Sequence, residues 1–465
     1  MDAIDEAILK LNEFRPKRDI TLKPLQRDAI FSAMQKDTLV VLPTGYGKSI
    51  IYEALPFIAD NKIIVISPLT AIIDEQSAKF KNSLKVNKHL FENPTNQLKD
   101  CSASVYFGHP EAFLTKEATD LLLSEKWQTS TISNIVIDEA HCIVNCGHEF
   151  RPEYSNLSKL RAIFPNAKML ALTATATKKM QAEITRNLLM KSFNLIFHRV
   201  DRSNIKLDVK LRPSSPHDGM NSDECIEELL KPIVYEFCKD PSSFRRTVIF
   251  SKLKWCYIGY QLVLRESRLF TDKELIKNSI AQYHAICTST ERKNVVDDMA
   301  NPLGSIKLLF ATEAYSMGTD CPNLRDVHFI GVPHSLEMFV QMMGRVGRDD
   351  VLSVGIVHFN NADIAQNKAN SVQPEMREFC LTSDCRRLFI SKHFSDDNLS
   401  PFPYDLHLCC DVCGVLCSVG PDWPLLRRHP RGGVDAGHDG EPPLCRPGGR
   451  HQLQLGKSPL FSAVL

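Results

Sequence analysis

Val40-Val41-Leu42-Pro43-Thr44-Gly45-Tyr46-Gly47-Lys48-Ser49-Ile50 is an apolar run that breaks into a proline- and glycine-bearing turn and resumes as helix-forming sequence. A strand that feeds a helix through glycines turns its backbone amides toward an anion at the helix N-terminus. In that loop Thr44, Gly45 and Gly47 would line phosphate oxygens, Lys48 would reach the β- and γ-phosphates, and the Ser49 hydroxyl would ligate Mg²⁺. The general phosphate-loop pattern asks for glycine where Leu42 stands, so this stretch carries only part of the argument.

Ile135-Val136-Ile137-Asp138-Glu139-Ala140-His141 supplies the rest. An apolar strand ending in two adjacent carboxylates is costly unless they have work to do. Asp138 is placed to hold a metal through water, and Glu139 to polarise an attacking water.

Between and beyond these two stretches, short apolar runs recur at 39–42, 63–66, 135–137 and 169–172, and again at 247–250, 307–310, 327–330 and 355–359. Each is followed by polar or helix-forming sequence, as expected of buried parallel strands alternating with helices. The fold class expected is α/β, with two tandem doubly wound parallel-sheet domains and a small helical, cysteine-rich third unit. The expected domains are 1–206, 207–365 and 366–417, with periodicity lapsing near 204–216 and a tail at 418–465 that reads as disordered or aberrant. A cleft between two such domains is the default active site.

With 465 residues, 43% hydrophobic and 24% charged, most of the chain should fold as a soluble protein. A net charge of +1 excludes a uniformly basic coat, so any polyanion must be gripped by local clusters and backbone amides. The first ten residues lack a basic-then-apolar export signal, and no apolar run reaches the roughly 20 residues of a membrane span. The fifteen cysteines are accordingly read as reduced core thiols and metal ligands, in a protein of the nucleus or cytosol.

With Asp138-Glu139-Ala140-His141 in place, the chain resembles the DEAH-bearing superfamily 2 helicases, and the RecQ family of ATP-dependent DNA helicases in particular. The resemblance runs through Leu22-Lys23-Pro24-Leu25-Gln26, Ser67-Pro68-Leu69, Gly147-His148-Glu149-Phe150-Arg151-Pro152, Ala171-Leu172-Thr173-Ala174-Thr175, Tyr283-His284-Ala285, Met317-Gly318-Thr319-Asp320 and Gln341-Met342-Met343-Gly344-Arg345-Val346-Gly347-Arg348. It covers roughly residues 10 to 417, in order, and implies that both sheet domains are RecA-like.

The resemblance implies roles. Lys23, where the family usually has arginine, and Gln26 would hold adenine, since an amide matches its donor and acceptor. Gly318, Asp320 and Gln341 would complete the ATP site. Arg345 and Arg348 would reach the γ-phosphate across the cleft as arginine fingers, so hydrolysis would require the domains to close. Thr173, Thr175 and His141 would couple nucleotide state to the strand face, where Ser67, Pro68, His148, Phe150, Arg151 and Thr312 would contact DNA. Movement 3′ to 5′ on single-stranded DNA, duplex unwinding in repair or recombination, and a monomeric state are what the family implies.

Two departures bear on activity. The family's Gln-Trp-Gly-His reads Asn145-Cys146-Gly147-His148 here, which removes an indole stacking platform and implies weaker stimulation by DNA. No winged helix or further helical strand-binding domain precedes the tail, so translocation is expected to outlast unwinding. A translocase without efficient strand separation, and a catalytically silent zinc-containing DNA-binding scaffold, are the competing readings.

Cys385-Arg386-Arg387 and His407-Leu408-Cys409-Cys410-Asp411-Val412-Cys413 have the residue types and short loops that tetrahedral Zn²⁺ favours. Set against the RecQ zinc unit, the expected ligands are Cys385, His407, Cys410 and Cys413, with Cys409, Cys380 or Cys417 as substitutes.

Overall fold

The structure is a computed structural model that describes residues 2–14, 20–58, 61–68, 70–145, 152–214, 221–316, 321–366, 372–394 and 409–419. The tail at 420–465 lies outside the described residues, and so does everything expected of it.

Seven strands form the first sheet: β1 (Asp37–Val41), β2 (Lys62–Ile66), β3 (Ser83–Val86), β4 (Val105–Gly108), β5 (Ile132–Ile137), β6 (Lys168–Thr173) and β7 (Phe193–Phe197). Every pairing is parallel, in the order β3-β4-β2-β5-β6-β1-β7. Parallel strands need crossovers, and helices supply them on both faces, so successive residues of one strand enter different cores. Leu39 and Val41 join the cluster with Ile64, Ile137 and Trp127. Val40 and Leu42 join the opposite cluster, with Ile30, Tyr52 and Leu172. That is why these strands read as unbroken apolar runs.

The second sheet contains β8 (Ile205–Leu211), β9 (Thr247–Phe250), β10 (Ile280–Tyr283), β11 (Leu308–Ala311), β12 (Asp326–Ile330) and β13 (Ser353–Phe359), ordered β10-β11-β9-β12-β13-β8. Here too alternate residues part: Val248 and Phe250 face one core, Ile249 the other. The stretch expected to lack periodicity contains β8, which pairs along its whole length with β13. Its Ile205, Leu207 and Val209 pack into the core while Lys206, Asp208 and Lys210 alternate on the opposite face, an edge-strand pattern that its charges disguised.

The third unit is helical, with segments Pro374–Leu381, Arg386–Phe394 and Asp411–Val419. It has no separate core: Met376, Phe379, Ile390, Phe394, Cys410 and Cys413 belong to the same buried cluster as Val327 and Phe359 of the second sheet. No helix among the described residues is long and apolar enough to cross a membrane.

Candidate nucleotide site at the seam of two lobes

Lys48, Ser49, Asp138, Glu139, Thr173 and Thr175 stand at or beyond the carboxyl ends of the parallel strands β1, β5 and β6, where doubly wound sheets bind ligands. The loop after β1 is a tight cradle: Gly45 and Gly47 have φ of +79° and +86°, the left-handed region that glycine tolerates best. Lys48 folds back so that its Nζ donates to the Leu42 carbonyl at 3.1 Å, and Ser49 opens the helix Ser49–Ala54. Burial lowers the Lys48 pKa, against the opposing pull of Glu139 and Asp138.

Asp138, 7% exposed, stands one residue beyond β5. Burial, then the charge of Glu139, raises its pKa to about 7. Glu139 sits in the left-handed region at φ +49°. Burial alone would raise the Glu139 pKa, but His141, Lys48 and Arg345 outweigh it and hold the carboxyl below its ordinary range. His141 Nδ1 lies 3.1 Å from Thr173 Oγ1 and 3.2 Å from Glu139 Oε2, an oxygen that is buried and otherwise without a hydrogen-bond partner. Thr173 Oγ1 in turn donates to the Thr175 carbonyl at 3.0 Å. The expected trio of His141, Thr173 and Thr175 is therefore one hydrogen-bonded unit.

The second lobe closes over this loop. Helix Leu336–Met343 delivers Gly344 against Thr44, so tightly that a Cβ on Gly344 would lie 1.6 Å from Thr44 Oγ1. The Arg348 side chain runs over Gly45, its Cγ 3.4 Å from where a Cβ would stand. Arg345 is 5% exposed, and its charge acts on both Lys48 and Glu139. Gln341 lines the same seam with Thr44 and Thr175. The buried Glu139 carboxylate, whose Oε2 meets only His141, and the glycine cradle facing two cations fit a magnesium–nucleotide pair, with Ser49 and Asp138 as the groups that would hold its metal.

Gln26 differs from expectation. Its Oε1 accepts from the Lys23 backbone N–H at 2.8 Å, and its Nε2 donates to the Tyr46 and Gly47 carbonyls at 2.8 and 3.0 Å. Both amide hydrogens are committed to bracing the loop, so only an oxygen lone pair remains for a base. Sequence reading also passed over Tyr46 and His198, whose rings lie 5.3 Å apart, with the Lys23 ammonium 4.7 Å over Tyr46. They border the cleft beside Arg202 and Arg348. An aromatic residue between two loop glycines was the available signal.

The strand-contact residues are less complete. Ser67 is 1% exposed and its hydroxyl meets no partner, so its side chain is withdrawn from solvent beside buried Pro68. Thr312, after β11, lines an open groove in the second lobe with Ser251, Lys252 and Gly331. His148, Phe150, Arg151, Gly318 and Asp320 lie outside the described residues.

Four thiols converge at the third unit: the sulfurs of Cys385, Cys409, Cys410 and Cys413 all lie within 4.8 Å of one another. The Cys385–Cys409 separation of 3.6 Å is near the ~3.8 Å edge of a tetrahedron with Zn–S bonds of about 2.3 Å. Three of the expected ligands are thus gathered, Cys409 takes the fourth place, and His407 lies outside the described residues. Cys380 is buried but stands apart from this cluster among the groups that could hold a metal.

Two parallel-sheet lobes that bring a lysine loop, an Asp-Glu pair and two arginines to one seam define the two-lobed helicase core. The DEAD/DEAH box helicase family matches residues 23–183 and the helicase conserved C-terminal domain matches residues 225–350, together more than half of the chain. Within that class the chain is similar to helicases of the RecQ family, at 27–29% identity. It is similar to the ATP-dependent helicase SGS1 of Saccharomyces cerevisiae, 28% identical over 87% of this chain and 28% of the relative. The ATP-dependent DNA helicase RecQ of Haemophilus influenzae is 29% identical over 83% of this chain and 60% of its own length. The ATP-dependent DNA helicase Q1 of Rattus norvegicus is 27% identical over 88% of this chain and 63% of its own. The chain therefore spans less than two thirds of these relatives. Among solved structures, the DUF1998 helicase MrfA bound to DNA and AMPPNP shares the fold at a TM-score of 0.62 and 18% identity, covering 85% of this chain and 54% of that one.

Proposed function

We propose that this chain is an ATP-dependent DNA motor of the RecQ type, which couples ATP hydrolysis to stepping on single-stranded DNA and to separation of duplex DNA. The contact of Gly344 with Thr44, which sets Arg345 and Arg348 over the loop of Lys48, carries this reading. It supplies a charge-compensating pair of guanidinium groups only when the lobes meet.

In the proposed cycle Lys48 and the loop amides would hold the β- and γ-phosphates, and Ser49 and Asp138 would hold a Mg²⁺ ion that supplies charge neutralisation there. Glu139 orients the attacking water while Arg345 and Arg348 stabilise the transferring phosphoryl group. Because these groups come from both lobes, ATP favours the closed form and product release the open one. His141, Thr173 and Thr175 carry that change toward the strand face, where backbone amides near Ser67 and the groove at Thr312 would track a DNA backbone. The four-thiol cluster holds Zn²⁺ as a brace. The 3′ to 5′ direction and a role in repair or recombination rest on the family resemblance, and residence in the nucleus or cytosol on the reading of the cysteines as reduced thiols.

The test is ATP turnover by the purified chain with and without single-stranded DNA or RNA, with Glu139→Gln as blank, followed by strand displacement on tailed duplexes. Stimulation by DNA is expected. Stimulation by RNA alone overturns the DNA reading, and turnover unaffected by Glu139→Gln overturns the site.

A further inference from the structure

We infer that Arg387 and Arg202 are positioning residues for Arg345 and Arg348, so that the cysteine unit governs nucleotide turnover as well as bracing the second lobe. The inference rests on the proposed ATPase reading and adds to it a route by which the third unit acts on the seam.

Arg387 follows Cys385 by two residues and is 1% exposed. Its Nε donates to the carbonyl of the cluster cysteine Cys409 at 3.3 Å. Nη1 donates to Asp201 Oδ1 at 2.6 Å and to the Arg202 carbonyl at 2.7 Å, and Nη2 donates to the carbonyls of Ser203 and Ile205. One guanidinium therefore fastens the segment that runs from β7 to β8, which is the covalent link between the lobes, to the thiol cluster. Its neighbour Arg386 does something different: it pairs with Asp411 and the Phe379 carbonyl, inside the third unit.

The linker then grips the arginine turn. Arg202 donates through Nη1 to the Gly344 carbonyl at 3.3 Å and through Nη2 to the Gly347 carbonyl, and Asn204 Nδ2 donates to the Gly347 carbonyl at 2.7 Å. Those two carbonyls bracket Arg345 and immediately precede Arg348. The path is Cys409, Arg387, linker, Arg202, arginine turn, each step a hydrogen bond to backbone. Backbone anchoring fixes where a turn lies rather than which side chain it carries, as positioning requires. A planar fork of five donors on three nitrogens can reach all of these oxygens at once, whereas lysine offers three donors on a single nitrogen.

The test uses the full chain. Arg202→Gln keeps the partly buried site polar, Asp201→Asn weakens the grip from the linker side, and Arg387→Lys keeps the charge but loses the fork. Arg202→Gln is expected to lower kcat for ATP by about 10- to 100-fold, with KM within about twofold and zinc per chain unchanged. Amide hydrogen exchange over residues 342–350 is expected to speed up in Arg202→Gln and Arg387→Lys. The inference is overturned if exchange there is unmoved, or if kcat falls only in proportion to lost zinc or folded protein. A wild-type chain without ATPase activity would sink the motor reading, while the exchange experiment would still decide this one.

Discussion

Gly344 leaves no room for a side chain against Thr44, because a methyl on its Cα would stand 1.6 Å from the threonine hydroxyl oxygen. The two residues belong to different lobes, so this close approach measures how far the lobes have shut. Gly344→Ala should therefore hold them apart while leaving each lobe folded. We expect kcat for ATP to fall by about 100-fold with affinity for ADP retained on the first lobe. Steady-state turnover beside a fluorescent-ADP titration checks this; normal turnover would show that closure does not pass through this contact.

Glu139 holds a backbone conformation, φ +49°, that costs any residue with a Cβ. Glutamine bears the same cost, so Glu139→Gln changes chemistry without changing strain. Hydrolysis is expected to drop by about 10²- to 10⁴-fold, with ATP binding and thermal stability kept. Retention of more than about a tenth of wild-type turnover would remove Glu139 from its role.

The raised pKa of Asp138, about 7, makes magnesium use depend on pH. A proton on this carboxyl competes with the cation, and the carboxylate forms as pH rises through that value. The Mg²⁺ concentration for half-maximal turnover should therefore rise as pH is lowered below about 7, approaching about tenfold per pH unit. Glu139, whose pKa is lowered, stays ionised through this window. Asp138→Asn should flatten the dependence, and a flat wild-type profile would contradict it.

The cysteine cluster separates two fourth-ligand candidates. Cys409→Ser should lose zinc and cost at least about 2 kcal/mol, or about 4–8 °C in Tm. His407→Ala should keep one zinc per chain, because four sulfurs already converge without it. Metal analysis by mass spectrometry on both variants decides the point, and the reverse pattern would restore the histidine.

Cys146 stands where similar helicases carry tryptophan. Restoring the ring as Cys146→Trp should increase stimulation of the ATPase by single-stranded DNA, in line with stacking worth about 1–3 kcal/mol per base. Stimulation ratios measured at saturating ATP test this, and a ratio no higher than wild type would mean that the loop senses the strand by other means.

Of the strands with neighbours on both sides, the four-residue β4 was passed over although equally buried, while β1, β5, β6 and β12 were legible because burial on two faces leaves them uniformly apolar. Edge strands were not: β3 and β7 are half-exposed, and the charges of Lys206, Asp208 and Lys210 made β8 look like linker. Lys48, Asp138 and Glu139 were legible because local spacing encodes a strand end. Arg202 and Arg387 were not, since their work is done on carbonyls up to 185 residues away. Carbonyls have no signature in a sequence. Gln26 shows the same limit, as its partners at Tyr46 and Gly47 leave its amide less to offer a base.

The strand order has a mechanical corollary. The seam loops that carry Lys48, Asp138, Glu139 and Thr175 hang from β1, β5 and β6 in one sheet, and the arginine turn follows β12 in the other, all interior strands. If the proposed motor pulls on a strand, the tension would therefore enter ladders flanked on both sides, where several hydrogen bonds must shear together. Peripheral ribbons such as β3 and β10 lie off that path, so wear at the margins would leave the engine running.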